Sequence, residues 1–365
     1  MTTAPTLARP LPVRAAAGRL EHLTPNWFAS VMGTGIVATA AVSLPLRSPL
    51  LHAAAVVVWL LAAGWLAVLV VATGAQWTAC RPAALRHWSD PVTGQFAGAA
   101  AMALLTVGAG ARTVGVDLLG ERAAWGTYVV LWTAGTAVGL VTSVWLPLRH
   151  VTGAAGLLPL PAWLMPVVPP MVSATTGAAL VPASGDPRAV LLGCWMLFGL
   201  SLVIGLLVTA LVLGRLLSAG LPGVQAAPTV WILLGVVGQS VTAANLLGEQ
   251  AAAGFDPAAA HVLVVLGVVY GAVMSGFAVF VGALATALTV HAARRGLRFG
   301  LAWWSFTFPL GTCVTGAAAL GRASGAALLG DVAVALFAVL VVVWGVVATG
   351  TARRVADGRL PGPAV

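Results

Sequence analysis

PAWLMPVVPPMVSATTGA (residues 161–178) sets four prolines, a glycine and three hydroxyl side chains into an otherwise apolar run. Shortly after it comes AVLLGCWMLFGLSLVIGLLVTALVLG (189–214), which has no proline and is dominated by Ala, Val and Leu. A proline inside a helix frees a carbonyl and bends the axis. In hydrocarbon that carbonyl needs a partner, so irregular backbone is tolerated only where it faces protein or a water-filled cavity. The first stretch must therefore face inward, whereas the second can face lipid.

The same alternation extends in both directions. Apolar runs occupy 26–46, 50–74, 91–111, 125–147, 157–181, 189–214, 229–248, 260–290, 299–321 and 327–350. Each matches the roughly 20 residues needed to cross about 30 Å of hydrocarbon. The odd-numbered runs carry the irregularities. The first has Ser30, Gly33, Thr34 and Gly35; the third opens on Asp90-Pro91 and holds Gln95; the fifth holds Pro166 and Ser173; the seventh holds Gln239 and Thr242; the ninth holds Ser305, Thr307 and Pro309. This pattern predicts an all-α integral membrane protein with ten transmembrane helices, arranged as five helical hairpins around a central pore with the odd helices inside. Residues 1–25 and 351–365 read as short cytoplasmic tails flanking a transmembrane pore domain at 26–350. The intervals 75–90 and 112–124 read as ordinary loops.

Composition agrees. With 60% hydrophobic and 7% charged residues and a mean hydropathy of +1.01, the chain has too little polar surface for a soluble globule of 365 residues. The net charge of +9 comes entirely from arginine. The arginines are scattered over the connections, not gathered in the basic stripe of a nucleic-acid binder, so no nucleic-acid partner is expected. Thirteen fall on one side of the ten runs, among them Arg149, Arg215, Arg294, Arg295, Arg353 and Arg354. Five fall on the other: Arg47, Arg112, Arg122, Arg188 and Arg322. The positive-inside rule then puts both termini in the cytoplasm. Cys80, Cys194 and Cys313 have neither metal-ligand nor redox spacing and read as packing residues. No metal or cofactor is expected.

Four runs, PNWFASVMGTGIVA (25–38), PAWLMPVVPPMVSATTGA (161–178), WILLGVVGQS (231–240) and AWWSFTFPLG (302–311), resemble the tellurite-resistance/dicarboxylate transporter family. That family includes fungal malate permeases, sulfite efflux pumps and plant slow anion channels. The resemblance implies ten helices in five hairpins around a pore, a homotrimer in the plasma membrane with one pore per subunit, and small inorganic or dicarboxylate anions as the transported species. It also implies that the phenylalanine before the ninth-run proline plugs the pore; here that residue is Phe308. An aromatic ring beside a proline kink can fill a narrow lumen, and apolar constrictions gate by excluding water. Phe306, the alternative, lies on another helix face at about 100° per residue.

Candidate pore-lining and anion-binding residues are Ser30, Gly33, Thr34, Gly35, Gln95, Pro166, Ser173, Gln239 and Thr242. Each polar one has a second reading as an interhelical hydrogen bond, worth about 0.6 kcal/mol. Gly33 and Gly35 suit close approach of either an anion or a neighbouring helix. No carboxylate or histidine lies deep in an odd run, where proton-coupled carriers keep one, which favours passive conduction over the alternative of a proton-coupled dicarboxylate carrier. A catalytic role is not expected, since the chain has no HExxH, GxSxG or aspartate-rich motif. The remaining alternative is a non-transporting membrane sensor or scaffold.

Overall fold

The computed structural model describes residues 20–153, 158–221 and 223–357, and every regular element among them is helical. In chain order these are α1 (Phe28–Ser43), α2 (Pro49–Ala79), α3 (Arg81–Ser89), α4 (Ala97–Thr113), α5 (Val116–Thr152), α6 (Pro169–Gly177), α7 (Pro187–Ala219), α8 (Ile232–Glu249), α9 (Pro257–Arg294), α10 (Thr307–Ser324) and α11 (Ala327–Ala356). Most of each expected tail, 1–19 and 358–365, lies outside the described residues.

Seven helical segments are long and apolar enough to cross a membrane: Pro49–Ala79, Thr93–Thr113, Val116–Arg149, Pro187–Ala219, Val224–Ala253, Pro257–Arg294 and Ala327–Ala356. The other three expected spans are helical but shorter or broken. At 26–46 the α-helix is only 16 residues, set between Pro25 and Pro45. At 157–181 the prolines reduce it to the nine residues of α6, with 3₁₀ turns at Pro161–Leu164 and Ala178–Ala183. At 299–321 a 3₁₀ turn, Leu301–Phe306, leads into α10, whose Thr, Ser and Gly content and Arg322 dilute its apolar character.

The connections are also more ordered than loops. α2 continues to Ala79 and α3 follows it, filling most of 75–90. α5 begins at Val116, inside the expected 112–124 loop, and is broken at Gly120, whose φ of 74° is open to glycine at little cost. At the N-terminal edge the buried Gln76 amide donates to the carbonyls of Leu20 and Leu23, at 2.8 Å each, tying residues 20–24 to the body. α11 runs on through Ala356, past the expected start of the C-terminal tail.

Two sets of helices emerge. α1, α4, α6, α8 and α10 are buried along most of their length. In α4 and α8, 89% of the most apolar stretch is buried, against between 17% and 33% in α2, α5, α7, α9 and α11. Each inner helix packs on the long helix that follows it, and the inner helices also pack on one another: α1 on α4, α4 on α6, α6 on α8, α8 on α10, and α10 back on α1. The contacts close a ring of five.

The sequence marks the two sets differently at their starts. Three outer helices begin with a side-chain cap followed by proline: Ser48-Pro49, Asp186-Pro187 and Asp256-Pro257. In each, the cap oxygen accepts an otherwise orphaned amide and proline stands where no N–H is needed. The inner helices instead grow out of, or follow closely upon, 3₁₀ turns at Pro25–Trp27, Thr93–Phe96, Pro161–Leu164, Val224–Trp231 and Leu301–Phe306. These five turns also touch in sequence, the last meeting the first, so a second ring of contacts closes at the N-terminal end.

Close backbone approach holds the rings. A Cβ on Gly98 would collide with the Met165 carbonyl and Pro166, and one on Gly238 would lie 2.7 Å from the Thr312 backbone. The small-residue pairs Gly135/Gly139 and Gly267/Gly271 are likewise occupied within the chain, by α4 with Pro169 and by α8 with Leu320 respectively.

Candidate functional site

A chamber of about 300 Å³ opens along the ring axis at the C-terminal ends of the inner helices. All five contribute to its wall or rim: Ile36 and Ser43 from α1, Thr106 and Arg112 from α4, Val172 and Thr175 from α6, Gln239 and Thr242 from α8, Phe308 and Arg322 from α10. It widens into an outer basin of about 790 Å³ that shares Thr39, Ser43, Thr113 and Arg322 with it and adds Arg47 and Asp331. Toward the N-terminal ends lies a much smaller space of about 10 Å³, lined by Met32, Phe96, Met102, Met165, Ile232 and their neighbours. That is about the volume of one water-sized sphere.

Phe308 borders both spaces. It sits in the first turn of α10 beside Pro309 and is only 3% exposed. Phe306 is turned elsewhere, its ring edge-on to Trp231 and Trp303 at centroid distances of 5.6 and 5.7 Å. Two residues of helix separate directions by about 200°, so only the second phenylalanine of WWSFTFP reaches the axis.

Of the other residues picked from the sequence, Gln239 and Thr242 line the chamber. The remainder face helix contacts. Ser30 donates to the Trp27 carbonyl (2.6 Å) and accepts from the Trp65 indole (2.8 Å). Thr34 donates to the Ser30 carbonyl (2.7 Å) and accepts from the Trp344 indole (3.2 Å). Ser173 accepts from Thr136 at 2.9 Å. Gly33 is covered by Thr307 and Trp304, and Gly35 by Thr106. Gln95 donates to the Pro91 carbonyl at 3.1 Å within the turn before α4, and Pro166 backs onto Gly98. The outer helices thus grip the ring through indole and phenol donors, including Trp132 to the Ser173 carbonyl (3.0 Å) and Tyr128 to the Thr176 carbonyl (2.6 Å).

The chamber hydroxyls are not free donors. Thr106, Thr175 and Thr242 each donate to the carbonyl four residues earlier, at 2.6, 2.9 and 3.0 Å, and Thr315 to the one three residues earlier at 3.1 Å. Helical threonine satisfies itself in this way, and its methyl and lone pairs are left toward the space. Gln239 differs. It is 4% exposed, lines the chamber, and its Oε1 has no hydrogen-bond partner. An unpaired buried acceptor costs about 1–3 kcal/mol; a donor such as water would relieve it, whereas an anion would be met only by the Gln239 amide protons.

The sequence reading overlooked Arg112 and Arg322, each in the last turn of its inner helix. Charge counting puts both on the same side of the membrane, which is the signal the sequence offers. Away from the axis, Asp90 starts the turn that leads into α4. Its Oδ1 accepts from the Val92 and Thr93 amides (2.9 and 2.7 Å) and from the Thr93 hydroxyl (2.9 Å). Burial alone would raise the carboxyl pKa, but these bonds and nearby His87 outweigh it and hold the group below its usual value. Among the described residues no cluster of His, Cys, Asp and Glu could hold a metal ion.

Comparison with known proteins gives the family. A profile described as voltage-dependent anion channel matches residues 22–352. A sulfite efflux pump of Arthroderma otae is 27% identical over 319 residues, covering 83% of each chain. One from Trichophyton rubrum is 27% identical over 321 residues at the same coverage. An uncharacterized transporter of Methanocaldococcus jannaschii is 24% identical over 363 residues, covering 93% of this chain and 96% of its own.

Proposed function

The chain belongs to the voltage-dependent anion channel family, and from that premise we propose that it conducts small anions through the ring of five inner helices, with Phe308 as the gate. The ten helical segments then span the membrane as five hairpins, inner helix first. The exposed apolar faces of α2, α5, α7, α9 and α11 meet lipid or neighbouring subunits of a homotrimer. Both termini lie in the cytoplasm and the chamber opens outward, with the plasma membrane as the site of action. Sulfite is the first anion to test, because curated relatives are named as sulfite efflux pumps; C4-dicarboxylates and halides follow.

The observation that carries this reading is the position of Phe308 between a chamber of about 300 Å³ and a space of about 10 Å³ on the same axis. Apart from Ser305, the narrow side is lined by Met, Phe, Ile, Val, Ala, Pro and Gly residues, which offer an anion little in exchange for its water. The barrier is therefore both steric and dielectric, and displacing one aromatic ring would open it. Gln239 is the amide nearest in kind to an anion ligand, and the Thr242 and Thr315 hydroxyls lie 2.9 Å apart where α8 meets α10, close enough for either to donate to the other in place of its backbone bond.

The test is anion flux into liposomes holding the purified protein. Wild type should pass sulfite slowly, Phe308→Ala severalfold faster, and Phe308→Leu at an intermediate rate. Equal, measurable flux in all three would remove the gate. No flux in any of them, with the protein folded and inserted, would remove the channel. Strictly electroneutral uptake driven by a pH gradient would favour the proton-coupled carrier.

A further inference from the structure

The five inner helices run parallel, so all their C-terminal ends collect at the chamber mouth. Each helix end carries roughly half a negative elementary charge, and five together make a mouth that repels anions unless something offsets them. Arg112 and Arg322 occupy the last turns of α4 and α10 and both line the chamber. The Arg112 guanidinium lies 5.8 Å from the Trp125 ring centroid, and among the described residues it has no carboxylate partner. Arg322 is half exposed. Its Nη1 donates to the Ser43 carbonyl at 3.3 Å, and its Nε is 3.8 Å from Oε1 of Glu249, the last residue of α8. Gln250 stands beside them on the chamber wall. Neither cation is used up, one lacking an acidic partner and the other held only by a long, solvent-screened pair.

We propose that Arg112 and Arg322 form an anion-capture subsite at the chamber mouth, selective for oxyanions over halides and weakened by Glu249. The proposal rests on the pore reading above and deepens it. A guanidinium offers a planar fork of donors that matches two oxygens of an oxyanion, whereas a spherical halide uses only its charge. The chamber beyond holds hydroxyls already committed to backbone carbonyls, so the donors a captured anion meets are the two guanidinium groups and the Gln239 and Gln250 amides. Glu249 competes with the incoming anion for Arg322, and its removal should strengthen capture.

The experiment measures the half-saturating concentration for sulfite and for chloride in proteoliposomes at low ionic strength, with the Phe308→Ala variant as background. Arg112→Gln and Arg322→Gln should each raise the sulfite value about three- to fivefold, the range of a partly exposed charge pair, and more than they raise the chloride value. Glu249→Gln should lower it. Arg322→Lys keeps the charge and removes one fork, so it should raise the sulfite value more than the chloride value. All differences should shrink at high salt. If the arginine variants match the background protein, or if Glu249→Gln and Arg322→Gln shift the sulfite value in the same direction, the subsite is refuted while the pore stands. If the background protein itself passes no anion, the pore reading fails first.

Discussion

On the C-terminal side of Phe308 the inner helices enclose about 300 Å³ walled by threonines and aliphatic side chains, with a glutamine whose amide oxygen is unpaired and two arginines toward the rim. On the N-terminal side α1, α4, α8 and α10, with the segments that lead into the inner helices, leave about 10 Å³ among methionine, phenylalanine, isoleucine, valine and alanine, with Ser305 as the one hydroxyl. The difference originates at the helix ends. The N-terminal entries are 3₁₀ turns, most of them carrying proline or tryptophan, that touch around a closed ring, while the C-terminal halves line the chamber and those of α4 and α10 end in arginine. On the proposed reading one end seals and the other receives, with the barrier to passage at a single level of the axis.

The contrast breaks most severely if the tight end is forced apart. Gly98→Val should cost about 3 kcal/mol, at the top of the overpacking range, because a side chain there meets the Met165 carbonyl with no room to yield. Thermal unfolding in detergent should show a large drop. Gly64→Ala on outer helix α2, where nothing lies within 4 Å, should leave stability unchanged or slightly raised.

The receiving end is sharpened by Gln239→Leu. In the Phe308→Ala background it should cut sulfite flux about tenfold, the worth of one hydrogen bond to a charged group. A flux unchanged by that substitution would mean that passing anions do not use the amide.

Smaller effects test what holds the ring. Asp90→Ala removes the cap of the turn leading into α4 and should cost about 1 kcal/mol at neutral pH. Since the folded-state pKa is held down, this contribution is full above the unfolded-state value of about 3.9 and fades as pH falls through the lower folded value. The variant and wild type should therefore converge in acid. Trp344→Phe deletes the indole bond to Thr34 and should cost about 0.6 kcal/mol. A much larger loss would mean that the outer layer, and not the ring contacts, supplies most of the ring's stability.

Much of this was legible in the chain. Proline, glycine and amide residues in alternate runs marked the inner helices, because hydrocarbon tolerates freed carbonyls only where they are covered. The Ser-Pro and Asp-Pro pairs before α2, α7 and α9 mark outer helix starts by local chemistry alone. The direction a hydroxyl faces was not legible. Ser30 and Thr34 look like Thr242 in sequence, yet the first two meet Trp65 and Trp344 while the third meets the chamber. That choice depends on which indole lies opposite, a property of tertiary packing. Arg112 and Arg322 lie 210 positions apart and line one chamber only because their helices end at the same mouth.

The central claim is that one aromatic ring separates the two spaces, and thiol labelling across it is the most direct measurement. With Cys80, Cys194 and Cys313 replaced, Met32→Cys would place a thiol in the small space and Thr39→Cys one in the wide chamber. A small charged thiol reagent added from the chamber side should modify the Thr39 variant readily. It should leave the Met32 variant untouched until Phe308→Ala is introduced, and then react with it quickly. Fast labelling of Met32→Cys with Phe308 intact, or persistent protection after its removal, would contradict the account.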